Sequence, residues 1–147
     1  MSNPLRDLHI LIAPPLKHTA VDSWTCRLAV QFGDFWFPEE PWIDFIVVIK
    51  WWVEDLEERG HRSCYFMDGP FIMHLDDVEG DPDLVELTFV RTRANETEDV
   101  WHTGVARKSQ FRDALTHACR QIAALLREGG YEAEAERYER TASRHTN

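Results

Sequence analysis

His74, Asp76 and Asp77 are the residues whose types and spacing come closest to chemistry in this 147-residue chain. Side chains alternate along an extended strand, so His74 and Asp76 fall on one face. An imidazole beside a carboxylate can ligate a metal or pass a proton. A catalytic metal needs about three protein ligands, and the spacing offers no third; His61 or His102 would have to arrive through folding. An exposed strand face with a simple His–Asp contact is the plainer expectation. Directly after it, Asp77, Glu79, Asp81 and Asp83 place acids at alternate positions, as calcium loops do. Gly80 is at the wrong offset for such a loop and Pro82 intrudes. These four acids are therefore expected to form a solvated loop that can meet a basic partner.

The other reactive side chains make weaker cases. Cys26, Cys64 and Cys119 are odd in number and widely separated, with no ligand-like spacing, which suits reduced thiols in a cytoplasmic protein. Cys64 stands beside Tyr65 and Phe66, a context of sheet packing rather than nucleophilic catalysis, and Cys26 lies on an apolar strand face. No Walker loop, GxGxxG, HExxH or GxSxG pattern occurs, and neither metal nor cofactor is expected. Asn95-Glu96-Thr97 fits a glycosylation sequon by coincidence. Arg91, Arg93, Arg107, Lys108 and Arg112 gather near the end of the sheet region, but Glu96, Glu98 and Asp99 sit among them. The net charge of -10 argues against nucleic acid and anionic membrane as partners, because both require excess Lys and Arg. No signal peptide is visible. The richest apolar run, Ile43 to Val53, is broken by Asp44 and Lys50 and is too short for a membrane span.

The elements that must position these residues follow from periodicity. Residues 1–147 suit a single α+β domain. Pro41 to Gly60 is expected to be its central helix. Trp42, Phe45, Ile46, Ile49, Trp52, Val53 and Leu56 recur at three- and four-residue steps. Pro41 suits the first turn, Glu39 and Glu40 face the positive end of the helix dipole, and Gly60 stops the helix. Its opposite face carries Asp44, Val47, Trp51, Glu54, Asp55 and Glu58. Trp51 there either packs beneath another segment or anchors an interface, since Trp is enriched at binding hot spots.

Leu8–Ala13 and Trp24–Phe32 read as strands, the second with Trp24, Cys26, Leu28, Val30 and Phe32 inward and Thr25, Arg27, Ala29 and Gln31 on a wet face. Gly33-Asp34 makes a turn, and Phe35-Trp36-Phe37 extends the pairing. Strands follow at 62–67, 71–76, 85–89 and, less regularly, 100–106, with a hairpin signal at Asp68-Gly69. Ser109 is expected to cap a helix with the stripe Phe111, Leu115, Ala118, Ile122 and Leu125, ended by Gly129-Gly130. A polar third helix covers 131–143. The expected order is ββαβββ(β)αα, one antiparallel sheet of five to six strands carrying the central helix and a C-terminal helical pair.

The stretch Phe37-Pro38-Glu39-Glu40-Pro41-Trp42-Ile43-Asp44-Phe45, the Trp-bearing helix and the later Phe66-Met67-Asp68-Gly69 resemble, in layout, small bacterial immunity proteins of polymorphic toxin systems. That resemblance implies a non-enzymatic inhibitor that binds and occludes a cognate toxin, with no catalytic residues to carry over. Acidic charge would steer it towards a basic toxin. The expected contacts are Trp51, Glu54, Asp55 and Glu58 on the helix, with Asp77, Glu79, Asp81 and Asp83 on the loop. Two other functions compete: a small enzyme or ligand-binding domain using the open sheet face near His74, Asp76 and His102, and an adaptor subunit. Six Trp in so short a chain leave room for a homo-oligomer.

Overall fold

The computed structural model describes residues 6–19, 23–67 and 69–144. Its elements run β1 (Leu8–His18), β2 (Trp24–Phe32), β3 (Phe35–Phe45), α1 (Val48–Glu57), β4 (His61–Tyr65), β5 (Phe71–Val78), β6 (Asp81–Thr92), β7 (Glu98–Arg107), α2 (Lys108–Glu128) and α3 (Glu132–Arg144). The α+β class and antiparallel pairing match expectation. The single sheet does not: the strands divide into a three-stranded sheet, β1-β2-β3, and a four-stranded sheet, β4-β5-β6-β7. Both are meanders of short hairpins, so each sheet closes locally. The α1 segment interrupts the pairing between them.

The main correction concerns the expected helix Pro41–Gly60. Its first five residues finish β3, and α1 begins only at Val48. The run from Trp42 to Phe45 satisfies both helical and strand periodicity, and pairing decides between them: Leu28 lies opposite Trp42 and Cys26 opposite Asp44. Asp44, expected on the solvent face of a helix, is fully buried, and Trp42 is 40% exposed at the rim, its ring edge-on to Phe71. Glu39 and Glu40 are remote from the start of α1. They are exposed on a bulge between Phe37 and Trp42, which pair with Val30 and Leu28.

The remaining part of α1 is as its pattern predicts. Val48, Ile49, Trp52, Val53 and Leu56 are buried. Trp52 is sealed in the core, and its indole N–H donates to the Tyr65 carbonyl at 3.0 Å. In β2, Ala29 is fully buried although it alternates with the inward set. The prolines after Ala13 do not end β1, whose pairing slips there and resumes at Lys17.

The inner faces of the two sheets meet through rings. Phe37 lies 5.1 Å from Phe89, and Phe35 stacks on His102 at 4.5 Å. Phe32 needs a flat neighbour: a Cβ at Gly104 would stand 2.3 Å from its ring. α2 packs against β1, β6, β7, α1 and α3. It starts two residues earlier than the Ser109 cap predicts, at Lys108, with Arg107 as its N-cap and the Gln110 side chain accepting from the Arg107 N–H at 3.1 Å. Phe111, Leu115, Ala118 and Ile122 are buried as expected, while Leu126 rather than Leu125 completes the stripe. Ala135, Tyr138 and Ala142 anchor α3. Of the hairpin signal Asp68-Gly69, Asp68 lies outside the described residues; Gly69 sits under the Trp42 indole.

Candidate functional site

The two acidic segments singled out by the sequence lie at one end of the molecule, joined by Arg62. β4 alternates, so Arg62 shares the inward face with Cys64 and is only 4% exposed. A buried guanidinium must have its fork satisfied. Arg62 Nε donates to the Asp55 carbonyl at 3.0 Å and Nη2 to the Leu56 carbonyl at 3.2 Å, so it closes the C-terminus of α1. Nη1 donates to the Gly60 carbonyl at 2.6 Å and to Asp77 Oδ1 at 2.8 Å. Gly60 therefore shapes the exit, with φ +80, but does not terminate the helix by itself. Sequence reasoning missed Arg62. The signal was there: a lone cation alternating with Cys64 on an otherwise inward face.

Asp77 is the other half of the joint. Besides Arg62, the Gly60 N–H donates to its Oδ2 at 2.8 Å and the Lys108 ammonium lies 3.2 Å from Oδ1. The Gly60 hydrogen bond, aided by Lys108 and Arg62, pulls its carboxyl down to about 2. Asp77 is thus a structural anchor as well as a surface acid. The loop expected over Asp77 to Asp83 is a tight connection: Asp77 and Val78 belong to β5, Asp81 to Asp83 belong to β6, and Gly80 turns between them at φ +86. Asp81 Oδ1 accepts from the Asp83 N–H at 3.0 Å, and Asp83 pairs with Arg107 at 3.2 Å. Glu79 is exposed at the tip.

Along α1, Trp51, Glu54 and Asp55 follow one another at the helical spacing of a single face; Glu58 is the C-cap, where the backbone is already extended. Trp51 is 41% exposed. Glu54 and Glu58 are exposed, and Asp55 is half-buried against Cys64. Burial pushes the Asp55 carboxyl up, with Glu58 and Glu54 adding to the rise and the Cys64 and Arg62 contacts opposing it. Glu54 also faces cations: it lines a groove of about 360 Å³ between α1 and α3 with Lys50, Arg137, Arg140 and Arg144. Glu58, Asp77, Glu79, Asp81 and Asp83 flank the Arg62 joint in the chain, with Lys108 and Arg107 paired to Asp77 and Asp83, and Glu54 lines the groove with α3.

On the open face of the four-stranded sheet, His74 Nδ1 and the Ser63 hydroxyl lie 2.8 Å apart, and His74 Nε2 is 3.0 Å from Glu98 Oε2. His61 Nδ1 meets Asp76 Oδ1 at 2.8 Å, and the two imidazoles are 5.0 Å apart. Asp76 therefore partners His61 across the β4–β5 ladder rather than its strand neighbour His74. His102 is not part of this group. It lies on the opposite, inner face against Phe35, and burial, helped by the Arg6 charge, lowers its pKa. Among the described residues no group of three or more His, Cys, Asp or Glu side chains could hold a metal ion. The three cysteines are free and buried. Burial pushes the Cys26 and Cys119 thiols up to about 12 and raises Cys64 as well, so none is poised as a nucleophile.

No protein-family model, curated protein or solved structure matches this chain. No helix among the described residues is long and apolar enough to cross a membrane.

Proposed function

We propose that this protein is a non-enzymatic binding domain of the immunity type, which captures and occludes a cognate basic toxin. The observation that carries the reading is the convergence of the end of α1 and the β5–β6 turn on the buried Arg62–Asp77 joint. A rigid support of this kind presents Glu58, Glu79, Asp81 and Asp83 without the ordering cost that a loose acidic loop would incur on binding. Trp51 adds an apolar contact beside them. Complementary charge raises the encounter rate and excludes wrong partners, and a buried aromatic slows release.

The test is a titration against the toxin-like product of the adjacent gene. Wild type is expected to bind with an on-rate that falls steeply as salt rises. Glu58→Lys with Glu79→Lys should slow association at least tenfold at low salt. Absence of binding by the wild type, or indifference to the reversal, would sink the proposal.

A second reading has one observation in its favour, the hydrogen-bonded line Ser63–His74–Glu98 on the open sheet face. If that line activates Ser63, a fluorophosphonate should add covalently to the wild type and not to Ser63→Ala. An unchanged protein mass after exposure would remove it.

A further inference from the structure

β1 is an edge strand. It pairs with β2 alone, and its other side makes no backbone hydrogen bond between Leu8 and Ala13 among the described residues. An open edge is a template for strand addition, so proteins blunt edges with proline, charge or a bulge. β3, at the opposite edge of the same sheet, carries all three in Pro38, Glu39, Glu40 and Pro41, where its register slips. β1 is blunted only past Ala13, where Pro14 and Pro15 have no N–H to donate and the ladder slips. Its first half, Leu8-His9-Ile10-Leu11-Ile12-Ala13, keeps every N–H and carries neither Lys nor Pro.

That half borders a groove of about 340 Å³, walled on one side by β1 from Asp7 to Leu11 and on the other by the α2 stripe from Gln110 to Gln121. Residues of both faces of β1 line it, buried Leu8 and Ile10 with exposed His9, and no residue of β2 does, so it runs along the free edge. The strand wall is about 13 Å long and the helical wall about 16 Å, which fits an extended segment of about four residues. The lining charges select its sign. Asp7 and Asp113 are exposed carboxylates, one on each wall, without an ion-pair partner among the described residues, and no Lys or Arg lines the groove. Gln121 Oε1 is buried on the helical wall with no hydrogen-bond partner, an acceptor that a donor entering the groove would satisfy. An acidic segment is repelled by both walls, and a second copy of β1 brings its own Asp7 and Asp113 with it.

We infer that the groove between β1 and α2 takes an extended, basic segment of a partner protein, which adds as a fourth strand to the β1 edge. Backbone hydrogen bonds to the first half of β1 supply the affinity, and Lys or Arg side chains of the segment meet Asp7 and Asp113. The net charge of -10 draws such a segment in from a distance. The Arg62–Asp77 joint contributes no residue to this groove.

Fluorescence anisotropy of a labelled hexapeptide of alternating Lys and Val, titrated with the full chain at about 0.15 M salt, tests it. Saturable binding at submillimolar protein is expected. The same peptide N-methylated at every residue keeps its charge but loses its backbone donors, and should bind at least tenfold more weakly. Asp113→Lys should weaken binding at least tenfold and keep the melting temperature, since the side chain is exposed. Glu58→Lys with Glu79→Lys should leave binding within a fewfold of wild type. A titration that does not saturate overturns the inference. So does equal binding of the methylated peptide, which would reduce the contact to charge alone, and so does indifference to Asp113→Lys, which would put the peptide elsewhere on the molecule.

Discussion

Asp77 and Arg62 show how much one charged pair can organise. The folded protein holds the Asp77 carboxyl at about 2, below its ordinary 3.8. A depressed carboxylate contributes stability above its unfolded pKa, and that contribution is lost as pH falls through the folded value. Asp77→Asn should therefore cost stability at pH 6, by on the order of 1 kcal/mol after discounting for a side chain open to solvent. The difference from wild type should shrink between about pH 4 and pH 2 in urea melts. Arg62→Met is expected to cost more, about 3–5 kcal/mol, because it strands carbonyls at the end of α1 and leaves Asp77 without its buried partner. Arg62→Lys should recover little of this, since an ammonium cannot span the same fork. Gly104 is a third such position. Gly104→Ala drives a methyl into the Phe32 ring, and overpacking of this kind costs about 1–3 kcal/mol, to be read from the shift in denaturation midpoint.

At the scale of elements, α1 separates packing from recognition within two adjacent residues. Trp52→Ala should lose about 3–5 kcal/mol, the range for emptying a core aromatic site. Trp51→Ala should stay within about 0.5 kcal/mol, as an exposed substitution does; under the proposed function, its effect should appear instead in binding of the cognate partner. Equal losses in denaturant melts would contradict the assignment. The face that distinguishes these two residues was legible in the periodicity, as were the inward set of β2, though not the burial of Ala29, and the anchors Phe111, Leu115, Ala118, Ile122, Ala135, Tyr138 and Ala142 of α2 and α3, though not Leu126. The start of α1 was not. Trp42-Ile43-Asp44-Phe45 carries both periods, and only pairing with Cys26 and Leu28, distant in sequence, selects the strand. His102 misled for a related reason. An imidazole looks polar in a sequence, yet a ring stacked on Phe35 behaves as part of an aromatic core.

At the scale of the molecule, the division into two sheets was invisible to local pattern, because each hairpin looks the same whether its neighbours continue one sheet or begin another. The acidic end is a comparable case: its segments were both legible, but their meeting depends on Arg62 reaching from β4 to β5 and α1. The placement of the cysteines has a use of its own. Cys26 is in the first sheet, Cys64 in the second and Cys119 in α2, and all three are buried. Each thiol is therefore shielded by a different layer of the molecule. Single-cysteine versions of the chain, exposed to a thiol-reactive reagent, would report layer by layer how often the structure opens. Equal labelling rates would mean that the three layers come apart together, and unequal rates would name the layer that yields first.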